Sequence, residues 1–308
     1  MKLYAGFDGG GSKTACYLAD EQGNLLGVGL GGASNYLFCG KESAAKAMRD
    51  ALAAAFAQAG RTPCTLAGAF IGSAAILLGN GAFHASFFRS CVPAEMLECD
   101  SDLVPIWYGG AQGADAVVAI AGTGSIAYGF TQEQYFRVGG WGPLLGDEGS
   151  GYDLGQRALR LAARMADGRV EAEPAFLQGI LSFYGVQTPH DLISCVKGED
   201  YRQKIASCAK AVFDLAQQGS PTGTALLEET ADELALLCRT AAKKAGNQEL
   251  PVILSGGLAE PMLPYLKKRL KSLTTLQMHP GLACAALALE KAGLSDSACR
   301  LLKEGTRC

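Results

Sequence analysis

The chain opens on apolar runs broken by short polar turns. "KLYAGFD" (2–8), "TACYLAD" (14–20) and "LLGVGLGG" (25–32) each read as a strand, and "EQGN" supplies a Gly23-Asn24 turn signal between the second and third. The period then changes. "KESAAKAMRDALAAAFAQAG" (41–60) spaces its apolar residues along one helical face and stops at Gly60. "TLAGAFIG" (65–72) and "AEMLECD" (94–100) return to strand character. "SDLVPIWYGGAQG" (101–113) starts a short helix, with Pro105 tolerable in a first turn.

The opening layout recurs further along. "AVVAIA" (116–121) leads into a small-residue turn, Gly122 to Ser125, followed by "IAYGF" (126–130), the turn "TQEQ" (131–134) and "YFRVGG" (135–140). Two strand–glycine-turn–strand segments that both end in Gly-Gly point to duplication, hence to two related halves. A third glycine turn, Ser255-Gly256-Gly257, sits between a strand and a helix in "ELPVILSGGLAEPML" (249–263). The free amides of a helix start favour anions. "GLACAALALEKAG" (281–293) is an apolar helix expected to pack back on the first half.

The first glycine turn, "FDGGGSKT" (7–14), is neither of the two common phosphate loops. Counting a P-loop from Gly6 reaches Gly11, but Ser12 intrudes before Lys13. A dinucleotide-binding turn needs a helix after the glycines, and here a strand follows. The glycines therefore join a hairpin. Such a turn is either an ordinary hairpin or a nest of amides that grips an anion.

With 308 residues, the chain has room for about two domains. A net charge of −3 gives no basic field for nucleic acid, and 49% hydrophobic residues with 8% aromatics fit a folded globular chain. The start reads as a strand and not as a leader peptide, and the longest apolar stretch, "TLAGAFIGSAAILLG" (65–79), is too short to cross a bilayer. A cytoplasmic protein with no membrane or nucleic-acid partner is expected. The 11 cysteines form no C-x-x-C pair and no zinc spacing, so they read as small buried hydrophobes in a reducing compartment.

The ordered set of two glycine hairpins and a late Gly-Gly turn resembles the actin-like ATPase superfamily of sugar kinases, heat-shock ATPases and actin. Within it, "GGWGPLLGDEGSGYDLGQRAL" (139–159), with "FDGGGSKT", "AIAGTGSIAYG" (119–129) and "LSGGL" (254–258), resembles the BadF/BadG/BcrA/BcrD-type ATPases, to which N-acetylglucosamine kinase belongs. The resemblance implies an α/β fold of two actin-like ATPase (ribonuclease H-like) domains, each on a mixed five-stranded sheet, with a cleft between them. The domains it implies are 1–105 and 106–289, with a C-terminal helix over about 290–308 returning to the first.

The same resemblance implies ATP-dependent phosphorylation of an amino sugar. N-acetylglucosamine comes first, with glucosamine and N-acetylmuramic acid as alternatives. Asp8 would hold Mg²⁺ through water. Gly10, Gly11, Lys13 and Thr14 would line the β- and γ-phosphates, opposite Gly122, Thr123 and Gly124, and Ser255, Gly256 and Gly257 would meet the adenosine. The general base would be Asp102, with Asp100 as the alternative and a helix N-cap as the other use of an aspartate there. Asn35, Ser73, Gly140, Asp147 and Glu148 would contact the sugar, Ser73 at an N-acetyl group, while Glu148 would otherwise cap the helix that follows. Homodimerisation is common among such relatives. Two other readings are an ATPase that activates a radical dehydratase and a nucleotide-binding regulator without transfer. The absence of the activators' cysteine runs and the presence of "GWGPLLGDEG" favour the kinase.

Overall fold

The computed structural model describes residues 1–132 and 134–305. Glu133 of the expected turn and residues 306–308 of the expected C-terminal helix lie outside the described residues. The chain divides into two compact units, one of residues 1–113 with 276–308 and one of residues 114–275.

The first unit begins with β1 (Leu3–Gly9), β2 (Thr14–Asp20) and β3 (Leu25–Gly31), then α1 (Tyr36–Cys39), α2 (Lys41–Gln58), β4 (Leu66–Ser73), α3 (Gly81–Arg89), β5 (Ala94–Ser101) and α4 (Leu103–Ala111). Its sheet has the order β3-β2-β1-β4-β5. The β1–β2 and β2–β3 pairs are antiparallel, and β1–β4 and β4–β5 are parallel. The glycines of "LLGVGLGG" have a packing cause. A Cβ on Gly29 would lie 2.0 Å from the Ala51 carbonyl oxygen, so alanine-rich α2 rests almost directly on the strand backbone. Phe7, Leu18, Met48, Phe56, Ile71 and Phe88 fill the core on this face. Each such buried side chain contributes about 1.5–3 kcal/mol.

The second unit repeats the sheet plan. It contains β6 (Ala116–Ala121), β7 (Ser125–Phe130), β8 (Tyr135–Gly139), α5 (Gly151–Ala166), α6 (Pro174–Tyr184), α7 (Leu192–Cys195), α8 (Tyr201–Ser207), α9 (Ala209–Gln217), α10 (Pro221–Lys244), β9 (Val252–Ser255), α11 (Ala259–Leu266) and β10 (Leu273–Thr275). The five-stranded order is β10-β9-β6-β7-β8, with β6–β9 parallel and β6–β7 antiparallel. Ser220 caps α10 by accepting from the Gly223 amide, and Pro221 occupies its first turn, a paired start signal. Leu154, Phe176, Ile180, Leu227 and Leu234 build this unit's core.

The chain then returns to the first unit with α12 (Pro280–Lys291) and α13 (Ser295–Gly305). Helix α12 covers the other face of the first sheet. A Cβ on Gly6 would fall 1.9 Å from the Ala285 amide nitrogen, so only glycine permits that approach. Among the described residues, no helix is long and apolar enough to cross a membrane.

Candidate active site

In the first unit the parallel ladder sets one row of residues at the carboxyl ends of three strands. Asp8, Gly72 and Asp100 are in register, and so are Gly9, Ser73 and Ser101. Such strand ends are where ligands gather in open α/β sheets. The β1–β2 turn closes with the Gly10 amide donating to the Lys13 carbonyl at 3.0 Å. The Gly10 carbonyl accepts the Ser34 and Asn35 amides at 3.1 and 3.2 Å, which draws the loop after β3 onto the turn. Gly11, Ser12 and Lys13 are left exposed. A Cβ on Gly11 would meet nothing within 4 Å, so backbone is bare there. Thr14 is different: it is fully buried, and its hydroxyl donates to the Gly32 carbonyl at 2.8 Å.

The two aspartates after β5 are held differently. Asp100 accepts the Gly79 amide at 2.9 Å and the Ser101 amide at 2.7 Å, so its carboxylate fastens the loop that follows β4. Asp102 occupies the N-cap position of α4 yet makes no side-chain cap hydrogen bond. Its Oδ1 accepts the Ser101 hydroxyl at 3.1 Å. Burial pushes the Asp102 carboxyl above its ordinary range, the Ser101 hydroxyl pulls it back, the negative charge of Asp8 pushes it up again, and the Asp102 and Leu103 backbone amides pull it down slightly. Asp8 is also raised by burial and lowered by Lys13. The two carboxylates therefore feel one another in a partly desolvated site.

Asn35 is 5% exposed and caps α1 with Oδ1, which accepts the Leu37 amide at 3.2 Å. Ser73 is fully buried, and its Oγ accepts the Ala75 amide at 3.2 Å.

His279 escaped the sequence reading. Its Nδ1 accepts the Gly281 amide at 3.1 Å, capping α12, and its ring stacks on Tyr17 with centroids 5.2 Å apart. Its Nε2 stands 3.8 Å from Asp8 Oδ2. Burial and the Lys13 charge lower its pKa, so the ring is neutral near pH 7. A signal did exist: a capping residue, then Pro280, then an apolar run marks a helix start.

In the second unit the β6–β7 turn closes through the Gly122 amide and the Gly124 carbonyl at 2.9 Å. The start of α5 seals it from behind: the Gly151 amide donates to the Gly122 carbonyl at 2.8 Å and the Tyr152 amide to the Thr123 carbonyl at 3.2 Å. The third glycine turn lies beside it. Gly256 has φ +100°, and a Cβ there would sit 2.4 Å from the Ala121 carbonyl oxygen, which enforces glycine. Leu258 donates its amide to that same carbonyl at 2.9 Å. Next to both turns is a cavity of about 450 Å³, lined in part by Thr123, Gln203, Ser207, Lys210, Phe213 and Gly257. No motif marked the α8 and α9 residues, whose place on the wall comes from helix packing.

The segment 139–159 forms a structured loop and then a helix start. Ser150, and not Glu148, caps α5 by accepting the Asp153 amide at 3.1 Å, and Asp153 accepts the Gly149 amide at 3.1 Å. Glu148 is exposed, and its carbonyl accepts the Ser125 hydroxyl at 2.7 Å. Asp147 is 4% exposed and faces Gly124 and Arg202. Gly140 has φ +69° and lies over Ile126, and its carbonyl accepts from the Arg137 guanidinium.

The first unit thus presents a glycine hairpin with bare backbone at Gly11 beside paired carboxylates, and the second a glycine hairpin beside a cavity of about 450 Å³. Comparison with known proteins gives the class. Residues 5–279 match the model of the BadF/BadG/BcrA/BcrD ATPase family, and the chain belongs to that family. It is 30% identical over 259 residues to the N-acetylmuramic acid/N-acetylglucosamine kinase of Clostridium acetobutylicum, covering 83% of this chain and 84% of that one. It is 29% identical to the N-acetyl-D-glucosamine kinase of Dictyostelium discoideum, covering 84% of this chain and 86% of the relative. A Chromobacterium violaceum protein, provisionally named an N-acetylglucosamine kinase, superimposes with a TM-score of 0.78 at 28% identity, over 94% of this chain and 99% of that one. A ROK family glucokinase from Streptomyces griseus, solved with glucose and AMPPNP, shares the fold with a TM-score of 0.61 at 16% identity, over 94% of this chain and 99% of that one.

Proposed function

We propose that this protein is an ATP-dependent kinase of amino sugars, with N-acetylglucosamine the first substrate to test and glucosamine and N-acetylmuramic acid next. The observation that carries the reading is Asp102. It is a partly desolvated carboxylate at the strand ends, free of a capping duty and within the field of Asp8. Asp100, whose carboxylate is engaged by two amides, is the weaker base candidate.

In this reading the second unit holds the nucleotide. The cavity beside Gly257 takes the adenosine, and the Gly122–Gly124 turn offers amide donors to the phosphates. The first unit supplies Gly10, Gly11 and Lys13 for the phosphates, with Thr14 acting from behind as the pin that shapes the turn. Asp8 fits Mg²⁺: it is a hard oxygen ligand with its side chain 24% exposed, and Mg²⁺ needs one or two carboxylates besides phosphate and water. When bound, the ion neutralises charge on the nucleotide's phosphate oxygens.

Asp102 accepts the proton of the attacking sugar hydroxyl. The hydroxyl oxygen bonds to the γ-phosphorus, the bond from that phosphorus to the β,γ-bridging oxygen breaks, and ADP leaves. Asn35 Nδ2 and the exposed Glu148 are the groups proposed to meet sugar hydroxyls. Ser73 and Asp147 are buried, so direct sugar contact by either would need local movement, and Gly140 could offer only backbone.

The test is ADP release with Mg²⁺-ATP across N-acetylglucosamine, glucosamine, N-acetylmuramic acid, N-acetylmannosamine and glucose, with a sugar-free control. Strong stimulation by one amino sugar is expected. Hydrolysis indifferent to every sugar would overturn the kinase reading.

A further inference from the structure

The mounting of Asp147 carries a consequence for the nucleotide site proposed above, and it rests on that reading. Asp147 has φ +64°, a conformation that costs a non-glycine residue energy and persists only where its surroundings enforce it. Its carboxylate is wedged against the glycine hairpin, with Oδ2 2.9 Å from the point a Cβ on Gly124 would occupy. A buried negative charge there adjoins a turn whose amides are to receive a polyanion. Left alone, it would repel the phosphates and would itself be poorly solvated.

One guanidinium answers both problems. Arg202, in α8, places Nη2 3.3 Å from Asp147 Oδ2. Its Nε is buried without a hydrogen-bond partner among the described residues, a cost accepted to bring the head group to that spot. The residues that follow it in α8, Gln203, Ala206 and Ser207, line the 450 Å³ cavity. One short helix therefore walls the adenosine cavity and clamps the aspartate that braces the phosphate turn.

We propose that Arg202 is a positioning residue for the nucleotide phosphates: it cancels the Asp147 charge and fixes Asp147 against Gly124, so that the Gly122–Gly124 turn presents amides to a polyanion. Arg202 itself touches neither phosphate nor base. The expected signature is a loss that depends on phosphate and spares adenosine.

The experiment measures binding of Mg²⁺-ADP by calorimetry and of adenosine by NMR titration. The proteins are wild type, Arg202→Met, Arg202→Lys and the double variant Arg202→Met/Asp147→Asn, each checked for folding by circular dichroism. Arg202→Met is expected to weaken ADP roughly tenfold, with adenosine affected less than about twofold. Arg202→Lys should recover most of the affinity. The double variant should recover it as well, because the neutral amide needs no cation. Equal weakening of ADP and adenosine would make Arg202 merely structural and overturn the inference, as would unchanged ADP binding in Arg202→Met. If Arg202→Met fails to fold, the double variant decides: ADP binding still tenfold weak without the Asp147 charge overturns the inference. A wild-type protein that binds neither ligand would instead bring down the nucleotide reading, and this inference with it.

Discussion

His279 Nε2 stands 3.8 Å from Asp8 Oδ2, while the other ring nitrogen, Nδ1, accepts the Gly281 amide. The two facts are linked. An Nδ1 that accepts must be unprotonated, so the neutral ring carries its hydrogen on Nε2, facing the carboxylate. One residue begins α12 and offers a donor toward Asp8.

Replacing His279 should therefore cost stability at a helix start. His279→Ala is expected to lose about 1 kcal/mol, and His279→Asn, a good cap, to lose less. Denaturant midpoints measure both. The wild type should also lose stability as pH falls below the ordinary histidine value of 6.5, because burial depresses the folded pKa and the unfolded chain binds the proton more readily. In His279→Ala that increment should vanish; an unchanged pH dependence would argue against a buried neutral ring.

Asp102 and Asp100 should separate cleanly. Asp102→Asn is expected to lower turnover by about 10²–10⁴-fold with nucleotide affinity nearly intact. Asp100→Ala removes the acceptor of the Ser101 amide, while the exposed Gly79 amide turns to water, and should lower stability by about 1 kcal/mol while keeping more turnover than Asp102→Asn. The reverse order of turnover would transfer the role of base to Asp100.

The raised pKa of Asp102 has two consequences. As a base it must be ionised, so kcat/KM should fall on the acid side at a pH above the ordinary aspartate value of 3.8. A carboxyl raised in the folded state favours folding fully below its unfolded value, and that contribution is lost as pH rises through the folded one. Asp102→Asn should therefore be at least as stable as wild type near pH 7. In metal-free protein, Asp8→Asn should move the Asp102 carboxyl down, read by ¹³C NMR, since Asp8 contributes to its rise.

Two glycines test fold against function. Gly29→Ala drives a methyl toward the Ala51 carbonyl 2.0 Å away and should destabilise by about 1–3 kcal/mol or more. Gly11→Ala meets nothing within 4 Å and should leave the melting temperature close to wild type. If phosphate approaches that bare backbone, the same variant should raise the KM for ATP several-fold. An unchanged KM would remove Gly11 from the phosphate site.

Much of this protein was legible in its order of residues. The strands on both sides of each glycine turn, helix α2 and the Ser255–Gly257 turn all follow from local patterns of period two, period 3.6 and glycine punctuation. Local rules dominate there because the chain pairs near neighbours in hairpins. In helices α8 and α9 no motif showed which face would wall a cavity, so Gln203, Ser207, Lys210 and Phe213 went unread.

The sequence by itself determined the two hairpins, helix α2, the late glycine turn and the aspartates at the strand ends, whereas the close approach of α2 and α12 to Gly29 and Gly6 came with packing. Only the tertiary structure decided which polar atoms are already engaged. Thr14 is consumed by Gly32, and Asn35 Oδ1 by the start of α1. Asp100 is consumed by Gly79 and Asp147 by Arg202, while Asp102 is left without a cap to make. The physical reason is that hydrogen bonds and desolvation depend on partners distant along the chain, brought within about 3 Å only after the sheets and helices have packed.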